Sequence, residues 1–381
     1  MNASIPRRLG RVVAAVAIAI VCRLAAGDST VPAWRPFEAT FTSTQSHRDP
    51  FGGVEVDVVF TSGTDAWRVP AFWAGDDSWT VRFAPPKPGV YRFRVDVAGG
   101  GDGGFDPGER SFTATAAVGT NRLLRHGFPR VAADGRHFAH ADGTPFFWLG
   151  DTWWKCLSKR MSCDDFRELA TDRAAKGFTV VQIVVGPYPD EAMLQPGWET
   201  DGGMPYLDRG FGEVNLEAFA AIDRRIQGLV DAGLVPAIVG GWGRPQTGGK
   251  STLAQVGLEG FARHWRHLVA RYAALPVIWI VGGEVKDAYG PWSEVAAFVK
   301  RVDPYGHPLC HHAPGDPRTT LRDQAAFDFD MVAIGHDGQT TIDKTLELVK
   351  ACREREPRRP VVCGEACYER HMQTNFEDVQ R

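Results

Sequence analysis

This 381-residue sequence is first informative through the motifs that it lacks. It contains no Cys-x-x-Cys pair and no His-Glu-x-x-His, which argues against a structural zinc site and a zinc-dependent protease. It also contains no Gly-x-Ser-x-Gly, the turn that presents the nucleophilic serine of many esterases. Lysine and arginine (43) nearly balance aspartate and glutamate (46), so the formal net charge is only -3. We therefore expect no surface for nucleic acid or for an anionic membrane.

The N-terminus has the composition of an export signal. Three arginines between residues 7 and 11 precede an apolar run at 12–21, which is too short to span a bilayer. Small residues at 25–27 offer a cleavage site. We predict that residues 1–27 are a signal peptide, that the protein is secreted or periplasmic, and that no membrane span remains after removal of the signal.

Cysteine is scarce in the remainder of the chain. Six cysteines follow the predicted signal, namely Cys156, Cys163, Cys310, Cys352, Cys363 and Cys367. An even number in an exported chain permits disulfides, but the sequence leaves their connectivity open.

Residues 28–118 have the pattern of a small all-β domain. Short alternating segments such as Val54–Phe60 and Val90–Val97 are separated by clusters rich in Gly, Pro and Asp, for example at 85–89. Six or so such strands, with a turn about every ten residues, predict a β-sandwich.

From residue 119 onward the pattern changes to alternating strands and helices. Buried β-branched runs such as Phe178–Val185 and Leu234–Val239 alternate with amphipathic segments such as Leu216–Ala232. This order predicts a parallel α/β fold. No glycine-rich nucleotide-binding fingerprint follows a strand in this part, so we predict a (β/α)₈ barrel of the TIM type over residues 119–381.

The predicted barrel has seven strands rather than eight. These strands lie at Phe146, Val180, Val235, Val277, Leu309, Met331 and Val361. Because the chain stops soon after the last of them, we predict a barrel that is truncated before its eighth strand. The alternatives are that a partner or an unrecognised strand closes the barrel.

Two glutamates stand at equivalent places in this pattern. The apolar run Pro276–Val281 leads to Gly283-Glu284, and Pro360–Cys363 leads to Gly364-Glu365. Residues at the carboxyl ends of barrel strands build the active site in this fold. Two carboxylates about 5 Å apart can cleave a glycosidic bond with retention, one as proton donor and one as nucleophile. Each could instead pair with a basic residue at the rim, but their matching positions favour catalysis.

Five further side chains are candidate substrate ligands near this pair. They are Asp151 and Trp154 after the first strand, Gln182 in the second, Trp242 after the third and His336 after the sixth. Polar groups among them can bind sugar hydroxyls, and indole faces can stack on sugar rings. The structural alternatives are a capping role for Asp151, rim packing for the tryptophans, an internal partner for the buried Gln182 amide, and a purely structural role for His336.

No cofactor and no metal are predicted. The adjacent pair His311-His312 is the strongest candidate for a metal site, but it lacks a third ligand at a recognisable spacing.

Several stretches together resemble a known family. They are 147–154 (Phe-Trp-Leu-Gly-Asp-Thr-Trp-Trp), 177–182 (Gly-Phe-Thr-Val-Val-Gln) and 277–284 (Val-Ile-Trp-Ile-Val-Gly-Gly-Glu). They resemble the apiosidase-like glycoside hydrolases, which belong with the clan A (β/α)₈ retaining hydrolases. Segments 72–75 and 79–85 of the β-rich part are similar to the immunoglobulin-like domain that precedes such barrels.

The resemblance implies a role for each glutamate. It implies Glu284 as general acid/base and Glu365 as nucleophile, acting on a carbohydrate such as an apiose-containing plant polysaccharide or oligosaccharide. The sequence departs from the family at Glu284, where many relatives carry Asp. The primary expectation is therefore a glycosidase, and the alternative is a non-catalytic carbohydrate-binding protein derived from such an enzyme. The sugar, the linkage and the oligomeric state stay open.

Overall fold

A computed structural model describes residues 29–99, 103–244, 250–336 and 339–366. The predicted signal peptide (1–27) and Cys367 lie outside these described residues. Among the described residues, no helix combines the length and the apolar character needed to cross a membrane.

The N-terminal part of the described chain is all-β, as predicted. A five-stranded sheet in the order β1-β8-β7-β3-β4 packs on a three-stranded sheet in the order β2-β6-β5. The strands are β1 (Thr30–Pro32), β2 (Phe37–Thr42), β3 (Val56–Ser62), β4 (Asp65–Pro70), β5 (Phe72–Gly75), β6 (Ser78–Phe83), β7 (Gly89–Val97) and β8 (Arg110–Thr115). Alternate side chains enter a shared core, in which Phe60 of one sheet stacks on Phe83 of the other with ring centroids 4.1 Å apart.

A short connecting region leads from the sandwich to the barrel. It consists of α1 (Arg122–Arg125) and a three-stranded antiparallel sheet of β9 (Arg130–Val131), β10 (Phe138–Ala139) and β11 (Pro145–Phe146).

The described residues that follow form a seven-stranded parallel sheet whose strands are neighbours in chain order. The strands are β12 (Gly150–Thr152), β13 (Val180–Val184), β14 (Val235–Val239), β15 (Ile278–Gly283), β16 (Leu309–Pro314), β17 (Asp330–Ala333) and β18 (Val361–Glu365). The helices between them are α2 (Cys163–Ala175), α3 (Leu216–Asp231), α4 (Thr252–Tyr272), α5 (Trp292–Val302), α6 (Pro317–Thr320) and α7 (Gln339–Glu354). The predicted TIM-type (β/α) architecture is confirmed, with seven barrel strands among the described residues.

The first barrel strand lies later in the chain than predicted. Phe146 pairs with Phe138 in the antiparallel sheet, and the barrel strand is β12, which pairs with Val180 of β13. The side chains of Phe147 and Leu149 are 75% and 38% exposed, so this apolar run is not buried on both faces. The prediction was wrong because apolar composition was taken for two-sided burial at a position next to the edge of the sheet.

Local sequence signals fix where the barrel helices begin and end. The Asn215 side chain accepts hydrogen bonds from the amides of Glu217 and Ala218 and so starts α3. Gly233, with φ +86°, follows its end and turns the chain into β14. Every residue of β14 and β15 is buried, because helices cover one face and barrel side chains fill the other.

A polar contact joins the sandwich to the barrel. Arg82 of β6 forms an ion pair with Asp223 of α3 at 2.9 Å, and Arg271 of α4 pairs with the same carboxylate at 2.8 Å. Burial opposes ionisation of Asp223, but the two guanidinium groups hold its pKa below the ordinary value. Helix α4 leads directly into β15, so this contact helps to place the strand that precedes Glu284.

The described cysteines are not joined to one another. They are Cys156, Cys163, Cys310, Cys352 and Cys363, and all are free thiols. Burial raises the pKa of Cys156 to about 12, which makes it an unreactive core residue.

Candidate active site

The end of β15 has an unusual backbone. Glu284 adopts φ +49°, a left-handed conformation that a residue with a side chain rarely takes. Its N–H donates to the carbonyl of His312 on the neighbouring strand at 2.8 Å. Such a conformation costs about 1–3 kcal/mol and is commonly found at functional sites.

Two glycines before Glu284 make room for tryptophans. A Cβ on Gly283 would overlap the six-membered ring of Trp242, and a Cβ on Gly282 would lie 2.6 Å from the ring of Trp292. Trp242 therefore lies across the end of the strand, where its Nε1 donates to Oε2 of Glu284 at 3.4 Å. The Gly-Gly-Glu sequence thus places a carboxylate beneath an indole N–H.

Glu365 ends β18 in a similar environment. A Cβ on the preceding Gly364 would overlap the side chain of Met331 on β17, so any larger residue here would require that side chain to move. The side chain of Glu365 is 15% exposed. It lies between two histidines, with its Oε2 3.3 Å from Nε2 of His312 and its Oε1 3.5 Å from Nε2 of His336.

His312 was not predicted as a site residue, although it stands near the end of the fifth strand. In the sequence it stands out only as half of a weak metal-binding pair with His311. The structure separates the two: Nε2 of His311 bonds Oγ1 of Thr320 at 2.8 Å, whereas His312 faces the carboxylates. Alternation along a strand sends neighbouring side chains to opposite faces, and this rule could have identified His312.

Trp154, Trp242 and His312 form one aromatic cluster. The centroid of Trp154 lies 5.5 Å from that of Trp242 and 5.7 Å from that of His312, both in edge-to-face geometry. The centroids of Trp242 and His312 are 5.9 Å apart. These contacts fix the indoles as rigid walls.

These groups share one open cavity of about 700 Å³. It is lined by both glutamates, by His312 and by three of the predicted ligands, Trp154, Trp242 and His336. Lys155, Arg160 and Asp190 form a charged part of its wall. Nζ of Lys155 is 2.6 Å from Asp190 and 3.0 Å from Glu191, so its charge is balanced within the protein.

Asp151 and Gln182 do not line this cavity. Both line a separate cavity of about 580 Å³ between β12 and β18. Oδ2 of Asp151 accepts from Nε of Arg173 at 2.6 Å, and Nε2 of Gln182 donates to the carbonyl of Gly364, the residue before Glu365. Their role in substrate binding stays a prediction, and the contacts seen here are internal ones.

The arrangement has the elements of acid–base and nucleophilic chemistry. One carboxylate lies beneath an indole N–H and the other lies between two imidazoles, at the mouth of a cavity large enough for a small oligosaccharide. Among the described residues, no group of three or more His, Cys, Asp or Glu side chains is arranged to hold a metal ion.

Solved structures with the same fold are glycoside hydrolases by description. A protein of Bacteroides vulgatus ATCC 8482 described as a glycoside hydrolase has a TM-score of 0.68 and 21% identity, covering 89% of this chain and 65% of its own. A second glycoside hydrolase has a TM-score of 0.54 and 22% identity, with coverages of 64% and 57%. A glycoside hydrolase family 5 protein from Bacteroides vulgatus ATCC 8482 has a TM-score of 0.52 and 24% identity, with coverages of 64% and 54%.

The chain therefore spans about 54–65% of the length of these structures. At such identities the likeness shows the fold alone. No curated protein matches the chain.

Two family models match separate parts of the chain. Residues 30–98 match a domain of unknown function (DUF5060). Residues 132–381, well over half of the chain, match the model described as "Apiosidase-like, catalytic domain". On this match, the chain belongs to the apiosidase-like family.

Proposed function

We propose that the protein is a glycosidase that hydrolyses an O-glycosidic bond with retention, through a glycosyl-enzyme intermediate. One observation carries the proposal: Glu284 and Glu365, from the fourth and seventh barrel strands, line the same open cavity together with two fixed tryptophans. Membership of the apiosidase-like family supports the same reaction class.

In this mechanism Glu284 acts first as an acid. Its carboxyl group gives a proton to the leaving oxygen, while a carboxylate oxygen of Glu365 forms a bond to the anomeric carbon and the glycosidic C–O bond breaks. In the second step Glu284 takes a proton from water, the water oxygen bonds to the anomeric carbon, and Glu365 leaves as a carboxylate. The form of Glu365 that attacks is the carboxylate, and the two imidazoles beside it lie 3.3 and 3.5 Å from its oxygens.

The substrate that we propose is a plant-type polysaccharide or oligosaccharide. The indoles of Trp154 and Trp242 provide apolar surfaces at the cavity for sugar rings. The sequence resemblance supports an apiose-containing glycan. We also propose that the protein acts after export, on the strength of the composition of residues 1–27.

The first prediction concerns the two glutamates. Glu365→Ala abolishes hydrolysis of aryl glycosides and pectic oligosaccharides, because no group remains to form the covalent intermediate. Glu284→Ala lowers turnover by about 10²–10⁴-fold, most strongly for substrates with poor leaving groups that need protonation. The measurement is kcat and KM on a panel of these substrates.

A matched control is Glu259→Ala, since the side chain of Glu259 is 93% exposed and does not line the cavity. It keeps wild-type activity. Added azide restores turnover to Glu284→Ala and gives a glycosyl azide of retained configuration. Near-wild-type turnover of either catalytic variant, or an inverted product, contradicts the proposal; glycan binding without any product by the wild type favours the non-catalytic alternative.

A further inference from the structure

We propose that His312 is a positioning residue for Glu365, whose imidazole holds the carboxylate in the orientation that attacks the substrate. The inference rests on the proposed function and adds a residue to it.

The position of His312 ties it to both glutamates. Its carbonyl accepts the N–H of Glu284 at 2.8 Å, and it pairs with Gly283 in the sheet. Its Nε2 lies 3.3 Å from Oε2 of Glu365. A movement of this one residue therefore displaces both carboxylates.

The surroundings of the ring leave it little freedom. His312 is fully buried, and Trp154 and Trp242 pack against it at centroid distances of 5.7 and 5.9 Å. The β16 strand that carries it is hydrogen-bonded on both sides, to β15 and β17. A ring held in this way can fix a carboxylate more firmly than a side chain at the exposed rim.

The hydrogen bonding of His312 differs from that of two other buried histidines, His264 and His311. His264 and His311 each bond a named partner at 2.7–2.9 Å. The contact of His312 with Glu365 is close, but it lacks the direction of a hydrogen bond, and neither of its ring nitrogens has a hydrogen-bond partner among the described residues. Buried polar groups are nearly always bonded, so two unbonded nitrogens on one buried ring call for an explanation. A small rotation of the Glu365 carboxylate during attack would complete this bond.

Other charged groups also face Glu365. Nε2 of His336 lies 3.5 Å away, and Glu284, Asp190, Lys155 and Arg160 line the same cavity. Lys155 is paired with Asp190, and Arg160 is exposed at the rim. Among these groups, His312 is the one that is fully buried beside Glu365.

The test compares two adjacent histidines. His312→Phe keeps an aromatic ring of similar shape and removes both nitrogens. His311→Phe makes the same change one residue earlier on β16, where the ring packs on Phe327 at 4.6 Å and does not face the cavity. The probes are 2,4-dinitrophenyl glycosides, whose leaving group needs no proton and so reports on attack by Glu365.

For His312→Phe we expect kcat to fall by about 10–100-fold with little change in KM, because the nucleophile is misplaced. The acidic limb of the pH profile moves to higher pH, and His312→Gln, which retains an N–H donor, recovers part of the rate. His311→Phe keeps kcat and the pH profile and shows its effect in thermal stability. Equal kinetic effects of the two phenylalanine variants would overturn the inference.

A second measurement does not depend on turnover. In protein with ¹³C-labelled glutamate carboxyls, the Glu365 signal is identified by its loss in Glu365→Gln. We expect its titration midpoint to lie at higher pH in His312→Phe than in the wild type or in His311→Phe. An unchanged midpoint overturns the role of His312. Failure of the wild type to hydrolyse any probe contradicts the proposed function instead, and this titration still decides between the two outcomes for His312.

Discussion

His307 precedes β16 at the base of the barrel, and His312 lies near the end of the same strand at the mouth. The two histidines show how these two ends of the barrel differ. At the base, Nδ1 of His307 donates to the carboxylate of Asp303 at 3.0 Å, and its Nε2 donates to the carbonyl of Leu275 at 3.1 Å. At the mouth, His312 is equally buried but has no directed hydrogen bond among the described residues.

The same contrast extends to the neighbours of each histidine. Asp303 also accepts from Nε1 of Trp279 at 3.2 Å and from the N–H of His307 at 2.7 Å, so every group around it is bonded. At the mouth, Glu284 holds a left-handed backbone, and glycines take the places where a side chain would meet Trp242 or Met331. The difference indicates that the base is built for stability and that the mouth accepts strain in order to present its carboxylates.

The largest effect expected from this contrast is on stability, at the base. Asp303→Ala leaves the His307 ring and the Trp279 N–H buried without their partner, and we expect a loss of about 3–5 kcal/mol in the free energy of unfolding. Urea denaturation followed by tryptophan fluorescence measures it, and kcat per folded molecule stays near the wild-type value. A variant that kept its stability but lost its activity would break the distinction between the two ends.

Acid should weaken the mouth side before the base. His264 makes two hydrogen bonds. Its Nδ1 accepts from the hydroxyl of Tyr206 at 2.7 Å, and its Nε2 donates to the carbonyl of Gly240 at 2.9 Å. Gly240 directly follows β14, at the mouth of the barrel. Burial lowers the pKa of His264 to about 4 from an ordinary 6.5. This neutral ring contributes its full stability above pH 6.5, and the contribution is lost as the pH falls towards 4, a difference of roughly 3 kcal/mol.

The base responds to acid in a lower pH window. Burial opposes ionisation of Asp303, but the positive charge of His307 holds its pKa below the ordinary 3.8, so its contribution is lost only at still lower pH. Unfolding free energies measured from pH 7 to pH 3 should therefore fall first between 6.5 and 4. His264→Gln should flatten that part of the curve; an unchanged slope in this variant would refute the assignment.

The smallest of the three expected effects is on activity, and it comes from adding one methyl group at the mouth of the barrel. Gly283→Ala forces the Trp242 ring away from the strand end and with it the N–H that contacts Glu284, so we expect kcat/KM to fall about 10²-fold. Gly228→Ala within α3 is the control, because its Cβ would meet only Phe166 at an ordinary 3.7 Å. The control keeps full activity and gains a little stability. Equal activity of both variants would show that the glycine does not set the position of Trp242.

The sequence predicted those features that depend on order along the chain. Alternating apolar runs identified the parallel strands, and a carboxylate after a glycine at two strand ends identified Glu284 and Glu365. It did not identify His312, because Ala313 and Pro314 continue β16 beyond it and the glycine that follows the strand, Gly315, stands three residues later. It also misplaced the first barrel strand, since composition reports apolar character and not which faces are covered.

Side-chain contacts between residues far apart in the chain could not be predicted from the sequence. The sequence offered Gln182 as a sugar ligand or as a buried amide with an internal partner, and neither periodicity nor spacing could show that this partner is the carbonyl of Gly364. Asp151 likewise lies beside Arg173 of α2, a pairing that only the folded chain reveals.

The bond from Gln182 has a mechanical consequence for the proposed nucleophile. Among the described residues, β18 is an edge strand that pairs only with β17. A strand paired on one side alone has more freedom to tilt than a strand paired on both. The Gln182 amide, reaching across from β13, fastens the opposite edge at Gly364, directly before Glu365. The orientation of Glu365 thus depends on two contacts of β18, the pairing with β17 and the hydrogen bond from Gln182 to Gly364. These last two residues are 182 positions apart in the chain.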